Sequence, residues 1–198
     1  MHIKTIICTI YEEKKKTSVK NIFLYLASLF ILTGCKKSVD SLPETTQTGA
    51  NTFGLKLDGQ FWAPQKFAGI NAPILKAQLS GVNQNDIVIT AQNFASEPTE
   101  SEFQLYIRTI TGPGTYELNQ TTDINPNATA SYAYYVKRKI NPLNEWITSS
   151  QYTGSVTITR WDLPNMIVSG TFEFKAGSMD SSAAPITVTD GRFDIKLQ

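Results

Sequence analysis

The fold is decided by residues 155–197, which read SVTITRWDLPNMIVSGTFEFKAGSMDSSAAPITVTDGRFDIKL. Apolar residues alternate with polar residues in three runs of this stretch, at 155–161, 167–176 and 186–197. A period of two residues predicts β-strands that bury one face. The turn-forming sequence DLPN and a polar loop at 177–185 join the runs, so we predict an antiparallel meander.

The last of these runs changes its apolar phase. Val188 occupies an even position, whereas Phe193 and Leu197 occupy odd ones, and the pair Asp190-Gly191 lies between them. A slip of one residue turns every following side chain to the other face unless a β-bulge absorbs it. We therefore predict a bulge at Asp190-Gly191 and a bent strand, which suits a β-sandwich or a flattened barrel.

Strand patterns continue upstream as far as residue 52. Phe53 and Leu55 alternate with polar or small residues, and Asp58-Gly59 then precedes a second short apolar run, which predicts a two-residue hairpin. No segment shows a helical period. We predict an all-β fold in residues 52–198, a single antiparallel domain of about 9–11 strands with mostly meander connections. The remaining predicted strands are 74–80, 87–94, 103–110, 115–118, 132–139 and 146–147.

The start of the chain has the pattern of a lipoprotein signal peptide. An apolar run at 21–32 follows several lysines, and its length of roughly 12 residues is too short for the ~20 of a spanning helix. It ends in the lipobox Leu32-Thr33-Gly34-Cys35. We predict that residues 1–34 are removed and that Cys35 carries a diacylglycerol anchor. The alternative is an ordinary signal peptide followed by a chance cysteine.

Acidic residues near the start of the chain bear on where translation begins. Glu12 and Glu13 are unusual in a basic n-region, so we hypothesise that residues 1–18 are not translated and that Val19 is the true start.

Residues 36–51 (KKSVDSLPETTQTGAN) are polar and lack an apolar period. They predict a disordered tether that reaches roughly 50 Å when extended, at ~3.3 Å per residue.

Removal of the leader excludes several kinds of chemistry. His2 and Cys8 both lie in it, so the mature chain has no histidine and only the lipid-blocked thiol of Cys35. This excludes Ser-His-Asp and Cys-His catalysis and zinc sites built from His or Cys. No Asp-x-Asp-x-Asp spacing predicts a calcium site, so we expect no metal and no cofactor. Without a basic stripe, we expect no nucleic-acid partner.

Aromatic residues supply the candidate ligand-binding side chains. We consider Trp62, Tyr135, Trp146 and Trp161 as a stacking platform for sugars or flat ligands. Tyr135 and Trp161 are predicted to lie opposite the apolar faces of their strands, whereas Tyr132 and Tyr134 share a face with Val136. Aromatic residues also fill β cores, and packing is the favoured interpretation.

Carboxylates supply the candidate catalytic side chains. Glycoside hydrolysis needs two carboxyl groups about 5 to 9 Å apart, and Asp162, Asp190 and Asp194 lie near Arg160 and Arg192 in sequence. The context predicts turns or solvated strand faces with ordinary pKa values for these acids. We therefore predict no catalytic residues and no enzymatic activity.

Motifs at both ends of the mature chain resemble a known family. They comprise LPETTQTGANTFG at 42–54, followed by Asp58-Gly59 and Trp62, and then SGTFEF at 169–174 and TDGRFD at 189–194. They look like a domain-of-unknown-function family of Bacteroidota lipoproteins. Its members often carry Cys where this chain has Leu55. The resemblance implies an envelope address and a β fold, and it implies no catalytic residues.

These observations lead to one expectation of function and one alternative. Surface-exposed lipoproteins of that type carry an acidic run after the lipidated cysteine, whereas Lys36-Lys37 follow Cys35 here. We expect a lipoprotein of the outer membrane that faces the periplasm and binds a protein or small ligand without catalysis, chiefly through loops 119–129 and 177–185. The alternative is a carboxylate-dependent glycan hydrolase or a carbohydrate-binding accessory lipoprotein.

Overall fold

The computed structural model describes residues 39–66, 73–95, 100–138 and 144–198. The predicted signal peptide, Cys35 and the first tether residues lie outside these ranges. In the described residues no helix is long and apolar enough to cross a membrane. The strands are β1 (Thr52–Leu57), β2 (Gln60–Trp62), β3 (Leu75–Ser80), β4 (Asp86–Asn93), β5 (Glu100–Ile107), β6 (Gly114–Leu118), β7 (Tyr132–Arg138), β8 (Asn144–Ile147), β9 (Gly154–Asp162), β10 (Ile167–Ser178) and β11 (Ile186–Lys196).

The strands form one curled antiparallel sheet, which confirms the predicted all-β fold. The main order is β2-β1-β11-β10-β8-β7-β5-β4-β3, while β9 pairs with β10 and β6 pairs with β9. We call β6-β9-β10-β11-β1-β2 the first half-sheet and β3-β4-β5-β7-β8 the second. Strand β10 serves both halves because it pairs with β9 along Ile167–Phe174 and with β8 at Gly177 and Ser178.

Apolar side chains fill the space between the two half-sheets. A chain of ring contacts crosses it: Trp62 lies 4.7 Å from Phe103, and Phe103 lies 4.4 Å from Tyr135, measured between ring centroids. Phe103 also contacts Phe174 of the first half-sheet edge to face. The interior is therefore a packed core rather than a hollow barrel that encloses a ligand.

A smaller apolar cluster lies on the opposite side of the second half-sheet. It contains Tyr106, Tyr132, Tyr134 and Val136, with Ala128 of the 119–131 loop packed against it. The Tyr132 hydroxyl accepts a hydrogen bond from the backbone N–H of Asn125 and donates one to Gln104. Part of the loop that we expected to bind a ligand therefore covers this cluster.

The predicted hairpin and bulge are both present. Asp58 (φ 48°) and Gly59 (φ 81°) form the turn between β1 and β2, and two successive positive φ values are typical of a type I′ turn. In the β10–β11 pair, Phe172 pairs with Gly191 and Phe174 pairs with Val188, so two residues of β11 oppose Glu173 alone. The residue with positive φ in this bulge is Asp190, at 55°.

Gly191 has a role in packing instead. A Cβ atom on it would lie 2.5 Å from the ring of Phe172 and 2.6 Å from the carbonyl oxygen of the same residue. Only a residue without a side chain fits between β10 and β11 at this point.

The second half of the predicted tether is part of the domain. We call residues 43–50 the strap, because they cross the outer face of the first half-sheet and hydrogen-bond to it. The expectation of a disordered tether is wrong for these residues. Their polar side chains and backbone find partners in the sheet, which the absence of an apolar period does not reveal.

Candidate functional site

The outer face of the first half-sheet has two parts. The outward side chains near the start of β10 and the end of β11, Ser169 and Asp194, are 0% and 1% exposed because the strap lies over them. Further along β10, the outward residues Thr171, Glu173 and Lys175 are exposed. The same strand alternation thus gives a covered part and an open part.

Asp194 holds the strap in the covered part. Its carboxylate accepts hydrogen bonds from the backbone N–H groups of three consecutive residues, at 2.9 Å from Thr48, 2.8 Å from Gly49 and 3.1 Å from Ala50. Hydroxyl groups of Thr46 and Ser169 donate further bonds of 2.6 and 2.7 Å. The positive φ of Gly49, 73°, helps to direct successive N–H groups toward one anion.

These contacts determine the ionisation of Asp194. Burial alone would raise the pKa of the carboxyl group, but the hydrogen bonds from Thr46, Ser169, Ala50 and Thr48 outweigh it. They hold the pKa of Asp194 well below its ordinary range because each bond favours the charged form. Asp194 is therefore a structural carboxylate.

Two arginines and one glycine complete the attachment of the strap. Arg160 donates a hydrogen bond to the carbonyl oxygen of Gln47, and Arg192 donates one of 3.3 Å to that of Pro43. Pro43 lies directly on Gly54, where an added Cβ would be 2.5 Å from its Cδ atom. The strap is thus bound at its first residue, its middle and its end.

The open part forms a shallow trough along β9, β10 and β11. It consists of two adjoining cavities of about 330 and 430 Å³ that share Ser155 and Glu173. The first extends to the strap at Thr45 and the second extends to the other end of the strands. Small and hydroxyl-bearing residues predominate in the lining of the trough. The lining residues are Thr45, Thr153, Gly154, Ser155, Thr157, Thr171, Phe172, Glu173, Phe174, Lys175, Thr187, Val188, Thr189, Asp190, Gly191 and Arg192.

The trough offers hydrogen-bonding groups and charges of both signs. Glu173 lies at its centre, and its side-chain carboxylate has no hydrogen bond or ion pair to any other described residue. Asp190, in the bulge, pairs with Lys56 at 2.9 Å. Neither Trp nor Tyr lines the two cavities. This surface can hold a polar molecule through hydroxyl, carboxylate and ammonium groups, without ring stacking.

The aromatic residues that we proposed as a stacking platform lie elsewhere. Trp62, Tyr135 and Trp146 are 8%, 4% and 7% exposed and belong to the core between the half-sheets. Trp161 is partly buried against the same core. The proposed platform is therefore wrong, and packing accounts for these side chains. Tyr135 does lie opposite Val136, as predicted, but its face of β7 meets the larger core. The predicted face of Trp161 is wrong, because a register shift in β9 returns it to the core side, where it pairs with Val168.

The three aspartates that we considered as catalytic candidates are used separately. Asp162 accepts a 2.6 Å bond from Arg160, and this bond, with those from the side-chain amide and the backbone N–H of Asn165, lowers the pKa of Asp162 to about 2. Asp190 pairs with Lys56, and Asp194 is enclosed by the strap. The expectation of ordinary pKa values is wrong for Asp162 and Asp194, since both accept several hydrogen bonds.

A second polar cluster lies on the outer face of the second half-sheet. Arg138 contacts Glu100 at 3.0 Å and Glu102 at 3.3 Å, and Gln92 donates a 2.7 Å bond to Glu102. Burial, followed by the neighbouring Glu145, raises the pKa of Tyr134 well above its ordinary value. A tyrosine that holds its proton this firmly is a poor general base. Among the described residues, no group of three or more acidic, histidine or cysteine side chains is arranged for a metal ion.

Sequence reasoning missed Glu173 and the threonines around it. Their signal was present, because Thr157, Thr171 and Glu173 occupy the polar positions of strands that were correctly predicted. Nothing in a single strand pattern distinguishes a polar face that is open from one that another segment covers. The strap makes that distinction here, and it was predicted to be free.

Comparison with known proteins places the chain in a family. A family model described as a domain of unknown function, DUF6252, matches residues 50–194, which include every described strand up to the last residues of β11. No curated protein and no solved structure matches the chain. The chain therefore belongs to the DUF6252 family, a family of domains of unknown function.

Proposed function

We propose that this protein is a lipid-anchored, periplasm-facing lipoprotein of the outer membrane that binds a polar ligand without catalysis. Support for the anchor comes from the lipobox that ends in Cys35 and from the basic and apolar segments before it. Lys36-Lys37, in place of an acidic run, support the periplasmic orientation. The absence of histidine and of a free thiol in the mature chain supports a non-catalytic role.

The observation that carries the binding role is the open trough. Most outward positions of the first half-sheet that the strap leaves uncovered carry hydroxyl or charged groups, and Glu173 at the centre has no partner among the described residues. An extended polar molecule, a glycan strand or a peptide, fits a shallow groove that runs along the strands. The interior is filled with side chains, so binding belongs to this surface.

Binding is tested with the purified mature domain on arrays of glycans and peptides. Glu173→Gln removes the central charge and keeps the shape of the side chain. Glu117→Gln is the matched control, because Glu117 lies in the same cross-strand row on β6 but does not line the trough. We expect the first variant alone to weaken binding, by about tenfold for one charged hydrogen bond. Equal binding by wild type and both variants would refute the trough as the site.

The anchor is tested separately by Cys35→Ser. Cys35 is the only cysteine of the lipobox, and Cys8 lies before the apolar run, so the variant should stay unprocessed and take up no labelled fatty acid. Incorporation of label into this variant at the wild-type level would refute the assignment of Cys35. A peptide that spans residues 10–14 in the precursor would show that translation starts before Val19.

A carboxylate-dependent glycan hydrolase is the second candidate, and one observation favours it. Glu173 and Asp190 line the same cavity, on neighbouring strands. Against it, Asp190 is engaged by Lys56, and the aromatic residues that line the two cavities, Phe172 and Phe174, are buried and present no ring face to a sugar. A panel of chromogenic glycosides decides the matter: we expect no turnover, whereas turnover that both Glu173→Gln and Asp190→Asn abolish would establish the hydrolase.

A further inference from the structure

The strap shortens the free part of the tether. Arg192 binds the carbonyl oxygen of Pro43, and Pro43 packs on Gly54. Only residues 36–42 therefore separate Cys35 from the first residue that the sheet holds, and they span at most roughly 25 Å at ~3.3–3.6 Å per residue. Because the tether is this short, the end of the domain that it joins lies close to the lipid that we propose on Cys35.

The tether reaches the domain at one end of the first half-sheet. Ser41 and Leu42 line a cavity together with Asn51 and Thr52, at the start of β1. Asn51 accepts a 3.0 Å hydrogen bond from the backbone of Lys196, the last residue of β11. This end also contains the turn between β9 and β10, because the N–H of Leu197 donates a 2.8 Å bond to the carbonyl oxygen of Met166.

That turn presents two exposed apolar side chains. Leu163 and Met166 are 41% and 40% exposed, and the N–H of Met166 donates a 3.0 Å bond to the carbonyl oxygen of Leu163 across the turn. Among the described residues these are the only two exposed large hydrophobic side chains that share one turn. Exposed apolar residues at the tip of a rigid hairpin suit insertion into the interface of a bilayer.

We propose that the β9–β10 turn is a membrane-contacting tip, with Leu163 and Met166 inserted into the bilayer surface beside the lipid on Cys35. The short tether joins the domain at the end that contains this turn, so in the proposed arrangement the bilayer surface lies next to the turn. The trough runs along β10 away from this end, so a docked domain keeps it open to the periplasm. The inference rests on the proposed lipid anchor and is independent of the ligand of the trough.

The test uses the mature, lipidated protein in vesicles of phosphatidylethanolamine and phosphatidylglycerol. Met166→Cys introduces a thiol at the tip, and Met179→Cys is the matched control, because Met179 is 48% exposed and follows the other end of β10. The thiol of Cys35 is blocked by lipid, so a polarity-sensitive fluorophore labels the introduced site alone. Lipids that carry a nitroxide near the headgroup then report contact with the bilayer.

We expect a blue shift and loss of more than about half of the emission at position 166, with little change at position 179. Equal quenching at both positions, or none at position 166, in protein that floats with the vesicles would overturn the proposal. Shielding of the fluorophore at position 166 in native membranes but not in these vesicles would also overturn the proposal, because it would indicate a protein partner at the tip. Protein that does not float would refute the lipid anchor and with it the membrane-contacting tip.

Discussion

The covered and open parts of one sheet face differ in what their polar residues do. In the covered part, Asp194 and Ser169 are buried; Ser169 donates a hydrogen bond to Asp194, and Asp194 is bound to the strap. In the open part, Glu173 occupies the equivalent outward position on the same strands and has no partner among the described residues. A carboxylate at an outward position is therefore structural where a second segment covers it and available for binding where none does.

The comparison also shows how a polar segment without an apolar pattern becomes part of a β domain. The strap is held chiefly by hydrogen bonds that a buried carboxylate accepts from successive backbone N–H groups, and such bonds are stronger than those between neutral groups. A carboxylate with this many donors also avoids the cost of burial without partners.

The largest effect that we predict comes from Asp194→Asn. An amide cannot accept all of the bonds that the carboxylate accepts, and its own N–H₂ group would face the donors of the strap. We expect the free energy of unfolding to fall by about 2 to 4 kcal/mol, measured by urea denaturation. Asp180→Asn, in an exposed loop whose carboxylate bonds only to Ser178 and Ser182 among the described residues, is the control and should change stability much less. Equal losses of unfolding free energy in the two variants would show that the bonds between Asp194 and the strap stabilise the fold no more than those of a surface carboxylate.

The same carboxylate predicts how stability depends on pH. Its pKa in the folded state lies below the roughly 3.9 of an unfolded chain, so the ionised form stabilises the fold at every pH above that value. The difference in unfolding free energy between wild type and Asp194→Asn should be constant from about pH 5 to 8 and should shrink as the pH falls below about 4. A difference that grows on acidification would contradict this assignment.

Gly191→Val should have the next largest effect, and it acts between the strands below the trough. The new Cβ would lie 2.5 Å from the ring of Phe172, so the β10–β11 pair must shift. We expect a loss of about 1 to 3 kcal/mol in thermal or urea unfolding. Gly59→Ala is a useful contrast, because an added Cβ there meets no atom within 4 Å and only the positive φ opposes it. An unchanged melting temperature in Gly191→Val would contradict the close approach.

The smallest predicted effect on stability is that of Glu173→Gln. Its side chain is exposed and has no bond to lose among the described residues, so the change should stay below about 0.5 kcal/mol. A measurable loss of ligand binding with unchanged stability would sharpen the contrast with Asp194. A loss of stability as large as that of Asp194→Asn would erase the contrast.

Much of the fold was predictable because it follows from local patterns. The period-two alternation located the strands from residue 155 onward, Asp58-Gly59 located the hairpin, and the phase change between Val188 and Phe193 located the bulge. These signals depend only on local sequence, chiefly on the alternation of side chains between the two faces of a strand. The predicted bulge at Asp190-Gly191 is confirmed, but the positive φ belongs to Asp190 rather than to its glycine.

The candidate site was predicted less well, for a physical reason. Whether an outward residue is exposed depends on contacts distant in sequence, such as that between Asp194 and Gly49. The chosen aromatic residues failed in the same way, because Tyr135 lies opposite Val136 on its strand, yet both faces of β7 are buried. A single alternation cannot indicate which face meets the larger core when both are covered.

The most direct test of the account is amide hydrogen exchange in the strap, measured by NMR on the mature domain. We predict that the N–H groups of Thr48, Gly49 and Ala50 are strongly protected in wild type and that Asp194→Asn releases this protection. Exchange of these three amides at the rate of an unstructured peptide in the wild-type protein would contradict the covered part of the face, and with it the boundary of the trough.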